Sequence, residues 1–109
     1  MPFQHQELAA GRWQELSLAE QMGNIGSEIS RALRWRDNDQ KLFIGAFDRA
    51  LELLDLTISD SRWRGRLKEL TRVREAVGDA FCGGSEYRTY FEDLNRYFFN
   101  FAIAARAHR

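Results

Sequence analysis

Proline is nearly absent from this chain: the single one is Pro2. Beyond it, no pyrrolidine ring removes a backbone N–H or blocks a helical turn. Cysteine is as scarce. Cys82 alone excludes an intramolecular disulfide and suits a reducing, cytoplasmic setting. No apolar run approaches the roughly 18 residues of a membrane span, and no signal-peptide pattern opens the sequence. A soluble protein with no membrane partner is expected. Histidine occurs only as His5 and His108, near the two ends. Net charge is lacking too: 16 basic residues balance 16 acidic ones, so no overall field draws in a polyanion.

What is present is apolar and aromatic. Hydrophobic residues make up 44% of the 109 positions and aromatics 13%, enough for one packed core and too many for disorder. Four segments repeat apolar residues at alternating spacings of four and three, the period of a helical seam. The first runs Leu18, Met22, Ile25, Ile29, Ala32, and opens on Ser17-x-x-Glu20, a capping box. Beside it lies a stripe of small residues, Ala19, Gly23, Gly26 and Ser30. Glycine inside a helix costs about 1 kcal/mol against alanine, so two on one stripe predict that another backbone comes close. This helix should end near Trp35, where Arg36–Gln40 form a polar turn that offers Asp37, Asn38 or Asp39 as the next N-cap.

The second seam is Phe43, Phe47, Ala50, Leu54. The third is Trp63, Leu67, Leu70, Val77, Phe81, capped by Ser59, Asp60 or Ser61. Gly83-Gly84 reads as a helix stop. Thr89 and Glu92 offer another capping box, and the fourth seam follows as Phe91, Leu94, Phe98, Phe101, Ala105. No segment alternates strictly as a half-buried strand does. Short connections make neighbouring helices antiparallel. The prediction is an all-α, antiparallel up-and-down four-helix bundle over residues 17–107. Residues 1–16 form a partly mobile extension, in which Trp13 and Leu16 pack.

The chain's charge is not spread evenly. Between Arg62 and Arg74 stand six basic residues, Arg62, Arg64, Arg66, Lys68, Arg72 and Arg74, and one acid, Glu69. Arg64, Lys68 and Arg72 fall at i, i+4, i+8, opposite the seam. Three aligned cations, with Arg62 beside them, are candidate contacts for nucleic-acid phosphates. The alternative is an ordinary solvated face supported by helical-neighbour pairs with Glu69 and Glu75. Arg74 occupies a seam position between Leu70 and Val77. Buried there, it needs a carboxylate partner.

Catalytic patterns are thin. A di-metal bundle needs Glu-x-x-His pairs that the chain does not contain, so no metal and no cofactor are expected. Cys82 has no histidine placed beside it and reads as a small residue at a helix end. Gly83-Gly84 lacks the strand and the lysine of a phosphate loop. Helical ribonucleases of the HEPN type pair an arginine with a histidine four to six residues later. Here Arg106 precedes His108 by only two, which points the pair to different sides of a helix. The expectation is a protein that is not an enzyme, with a degenerate ribonuclease as the alternative.

Two helices carry more apolar surface than one core needs. Leu42, Ala46, Leu53 and Leu56 widen the apolar arc of the second to about 240°, and Phe99 and Ile103 add a flank to the fourth. A homo-oligomer with Leu53, Leu56, Phe99 and Ile103 in its interface is expected from this.

The phrases LSLAEQMGNIGSEISRALRW, FDRALELLDLTISDSRWRGRLKEL and YFFNFAIAAR resemble a group of short prokaryotic helical proteins with no assigned activity, over roughly residues 13–106. In size and bundle pattern the chain is similar to two further families. One is the accessory variability determinant of diversity-generating retroelements; the other is the four-helix-bundle family encoded within ribosomal RNA intervening sequences. The resemblance implies a ring-forming oligomer. It also implies an accessory role beside a nucleic-acid-processing enzyme such as a reverse transcriptase, with RNA or DNA as a partner. The accessory determinants are strongly basic, whereas this chain is neutral. A purely structural oligomer without nucleic-acid contact is the other reading.

Overall fold

The computed structural model describes residues 11–82 and 88–107. Four α-helices carry the fold: α1 (Leu18–Trp35), α2 (Gln40–Ile58), α3 (Leu67–Cys82) and α4 (Arg88–Ala107). Short 3-10 segments at Trp13–Glu15 and Ser61–Arg66 complete it, and no strand occurs among the described residues. The chain is an all-α bundle.

Local chemistry sets the helix ends. Ser17 closes the predicted capping box: its Oγ accepts from the Glu20 amide at 3.1 Å, and Glu20 Oε1 accepts from the Ser17 amide at 3.0 Å. After Trp35, the amides of Asn38 and Asp39 donate back to the Trp35 carbonyl. Asp39 then caps α2 through its Oδ1, which accepts from the Leu42 amide at 3.1 Å. Helix α4 starts at Arg88, so Thr89 lies inside it and is not its N-cap. The Gly83-Gly84 stop and the start of the chain through Ala10 lie outside the described residues.

Helix α1 packs against α2 and α4, and α2 against α3. The contacts run in opposite numerical order. Along α1, Gly23 faces Ala102, Gly26 faces Phe98 and Ser30 bonds Asn95. Glu28 meets Arg49 of α2, while Gln21 meets Asp60 just beyond that helix. On α2, Phe43 and Phe47 contact Phe81 near the end of α3, and Asp55 pairs with Arg74 nearer its start. Each of these neighbours is therefore antiparallel.

The seams of α1 and α2 supply most of the core. Met22, Ile25, Ile29, Ala32, Phe43, Phe47, Ala50 and Leu54 are all buried, joined by Leu70, Val77 and Phe98. Full burial of each of the larger ones contributes about 1.5–3 kcal/mol. The small-residue stripe lets α1 and α4 approach: a Cβ on Gly26 would stand 2.6 Å from the Phe98 Cβ, and one on Gly23 would stand 3.3 Å from the Ala102 Cα.

Two expectations need correction. Leu53 and Leu56 are 2% and 7% exposed in the single chain, so they are core and not an outer face. The reason lies before α1. Trp13 is buried, lines the same small cavity as Leu53, and donates its indole N–H to Thr57 one turn further along α2. The N-terminal segment covers the Leu53 side of that flank. The third helix also starts later than its seam implied. Residues 61–66 are 3-10, with Trp63 at φ −103°, ψ 21°, and this breaks the α-helical register. Leu67 is consequently exposed and Trp63 only half-buried.

Candidate functional site

The cationic segment sorts into two groups. Arg62 forms an ion pair with Asp60, Nη2 to Oδ2 at 2.8 Å, and also donates to the Leu16 carbonyl at 2.7 Å. Arg66 pairs with Glu69 at 2.6 Å, and Arg74 with Asp55 at 3.0 Å. Arg64, Lys68 and Arg72 are exposed and make no ion pair among the described residues. Arg62 is therefore withdrawn from the set of phosphate contacts: its guanidinium already holds the corner between α2 and α3. Arg64 sits in the 3-10 segment, so the continuous α-helical ladder reduces to Lys68 and Arg72, with Arg64 beyond the kink.

Arg74 departs from expectation in its surroundings. It does find a carboxylate on the neighbouring helix, but its side chain is 38% exposed and that of Asp55 is 52% exposed. The seam position is filled by a solvated cross-helix pair and not by a buried charge.

The corner that Arg62 joins is a hydrogen-bonded knot that the periodicity did not announce. Trp13 Nε1 donates to Thr57 Oγ1 at 3.0 Å, and Thr57 Oγ1 donates to the Leu53 carbonyl at 3.0 Å. Gln21 Nε2 donates to the Trp13 carbonyl at 2.8 Å and to Asp60 Oδ2 at 3.2 Å. Gln21 Oε1 accepts from Trp63 Nε1 at 2.9 Å. An indole only donates and a carbonyl only accepts, so the amide of Gln21 has one orientation that satisfies both. Gln21, Thr57 and Asp60 are all buried, which makes these bonds necessary. The Arg62 side chain beside Asp60 holds its carboxyl below the usual carboxylate range, against the opposing effect of burial; the Arg62 amide and Gln21 add to the lowering. The same pairing raises the Arg62 guanidinium. Arg62 also lies over the Trp63 ring, 4.4 Å from its centroid. One sequence signal pointed here: Gln21 occupies a seam-side position between Leu18 and Met22, where an apolar residue belongs.

Glu28 is a second buried acid that sequence reasoning passed over. Its two oxygens meet Arg31 Nη1 at 2.7 Å and Arg49 Nε at 2.9 Å, tying α1 to α2.

A cavity of about 400 Å³ lies between α1 and α4. Its floor is the small-residue stripe. Arg31 and Arg34 of α1 and Arg106 of α4 edge it, with Ser30, Asn95 and Phe99, and among the described residues no acid lines it. Phe99 and Ile103 are 55% and 49% exposed, as an outer flank of α4 requires.

Among the described residues no three of His, Cys, Asp and Glu converge as a metal-binding set. His5 and His108 lie outside those residues, and Cys82 closes α3. No helix is long and apolar enough to cross a membrane. Comparison of the chain with family models, curated proteins and solved structures gave no match.

Proposed function

We propose that this chain is a non-catalytic helical binding module, an accessory to a nucleic-acid-processing enzyme, that contacts phosphates through Arg64, Lys68 and Arg72. One observation carries the reading. Within a single basic segment, three cations are matched to Asp60, Glu69 and Asp55, while the other three are exposed with no carboxylate partner among the described residues. Unpaired cations on one stretch release counterions when phosphates replace them. The hydrogen-bonded knot beneath Arg62 supports the same reading, because it ties down the corner where the segment carrying Arg64 leads into α3, which carries Lys68 and Arg72. A retroelement reverse transcriptase is the kind of enzyme that the sequence resemblance brings forward.

Binding of labelled RNA and DNA tests this. Replacing Arg64, Lys68 and Arg72 together with glutamine should abolish binding, leave the helical content intact and flatten the salt slope by about two to three units. Unchanged affinity and slope would reduce the segment to a solvated face. RNA cleavage that disappears in His108→Ala would replace this reading with the ribonuclease.

Homo-oligomeric assembly through Phe99 and Ile103, both exposed on α4, is the competing reading of that face. Light scattering at micromolar concentration tests it. A monomer mass would remove assembly from the account and leave the phosphate contacts standing.

A further inference from the structure

We infer that the groove between α1 and α4 is a second binding site, and that its ligand is a single strand of nucleic acid. The inference takes its ligand class from the function proposed above, but it stands on a different face built without α3. Three observations combine in it.

Arg31, Arg34 and Arg106 line one concave space that no acid lines among the described residues. Clefts lined by one sign of charge concentrate field even in a neutral protein. Arg34 and Arg106 make no ion pair among the described residues, whereas Arg31 shares Glu28 with Arg49. The free charge therefore sits at the two ends of the groove. Gly23 lies opposite Ala102, and Ser30 bonds Asn95, which puts Arg106 towards one end and Arg34 towards the other. From Gly23 to Arg34 the helix advances about 17 Å at 1.5 Å per residue, a length that suits an extended strand.

The remaining lining fits the same ligand. Arginine forks match phosphate oxygens, which only accept hydrogen bonds. A neutral peptide backbone carries no negative charge to match these arginines. Phe99 stands exposed at the rim, where an unpaired base can stack on it. A duplex keeps its bases stacked internally and cannot use that ring. The valley is narrow besides, because the glycines draw α1 and α4 together.

The test is fluorescence anisotropy with labelled oligothymidylate and oligouridylate, and with a duplex of the same length. The full chain is compared with Arg34→Gln/Arg106→Gln, with Phe99→Ala, and with the glutamine triple variant of Arg64, Lys68 and Arg72. The double arginine variant should lose at least about tenfold in single-strand affinity. Its salt slope should flatten by about 1.4, two phosphates at roughly 0.7 each. Phe99→Ala should lose about fivefold or more on single strands and nothing on the duplex. Wild-type binding by both groove variants would overturn the inference while leaving the first site in place. Loss confined to the groove variants would do the reverse. If the wild-type chain binds no oligonucleotide, both readings fall. An Phe99→Glu variant with a lower particle mass than wild type would show that a second copy covers this face, and would overturn the inference too.

Discussion

Gly26 of α1 lies so close to Phe98 of α4 that a Cβ on the glycine would stand 2.6 Å from the phenylalanine Cβ. A Cβ cannot swing aside, so an alanine here has to move backbone. Gly26→Ala should destabilise the fold by about 1–3 kcal/mol through overpacking, although alanine is the better helix former by about 1 kcal/mol. Two other glycines calibrate the effect. Gly23→Ala meets the Ala102 Cα at 3.3 Å and should change stability by less than about 1 kcal/mol. Gly45→Ala meets only the flexible end of Arg49 at 3.5 Å and should stabilise. Urea unfolding of the three variants checks the order.

Asp60 gives a pH signature. Folding lowers its pKa, so the unfolded chain holds this proton more readily than the folded one. The stabilisation is complete above the unfolded value of about 3.9 and is lost as pH falls through the lower folded value. Asp60→Asn should cost about 1–3 kcal/mol at neutral pH, where it removes charge-assisted bonds to Arg62. The deficit should shrink in strong acid, where wild type is protonated too. Denaturant melts of both proteins at neutral and strongly acidic pH measure it. An equal deficit at both would exclude charge as the cause.

The Arg74–Asp55 pair is half in solvent, and solvated pairs are worth roughly 0–1 kcal/mol. Arg74→Ala should therefore change stability by no more than about 1 kcal/mol. Glu28→Ala should cost more, about 1–3 kcal/mol. Glu28 is buried and bonds two arginines, Arg31 and Arg49, so its loss leaves both without this acceptor. Thermal melts of the two variants side by side give the comparison.

Leu53→Glu and Leu56→Glu should unfold the chain and not merely dissociate an assembly, because each places a charge in the core. Phe99→Glu should leave the melt close to wild type. Circular dichroism with light scattering separates the outcomes.

How much of this was legible follows from what periodicity can see. The α1 seam, its capping box and the close approach at Gly23 and Gly26 depend on spacing within one helix, and the sequence displays them. Leu53 was misplaced because the residue that shares its cavity, Trp13, comes from a segment too short to show a period. The register of α3 slipped at Trp63 because the four-residue step from Trp63 to Leu67 reads as α-helical, and nothing in it marks the tighter 3-10 turn that the chain takes there. The groove was invisible for a different reason. Its cations come from two helices and stand more than seventy residues apart, and nothing along either helix marks them as neighbours.

The knot around Gln21 has a consequence for how the molecule can be watched. Two of its three tryptophans place their indole N–H groups in that one network, Trp13 on Thr57 and Trp63 on Gln21. Intrinsic fluorescence is therefore weighted towards one end of the bundle, whereas far-ultraviolet dichroism averages over all four helices. If the N-terminal segment peels away before the helices separate, emission will shift red while ellipticity holds. The distance between the two transitions then reads the strength of that attachment directly, without any substitution.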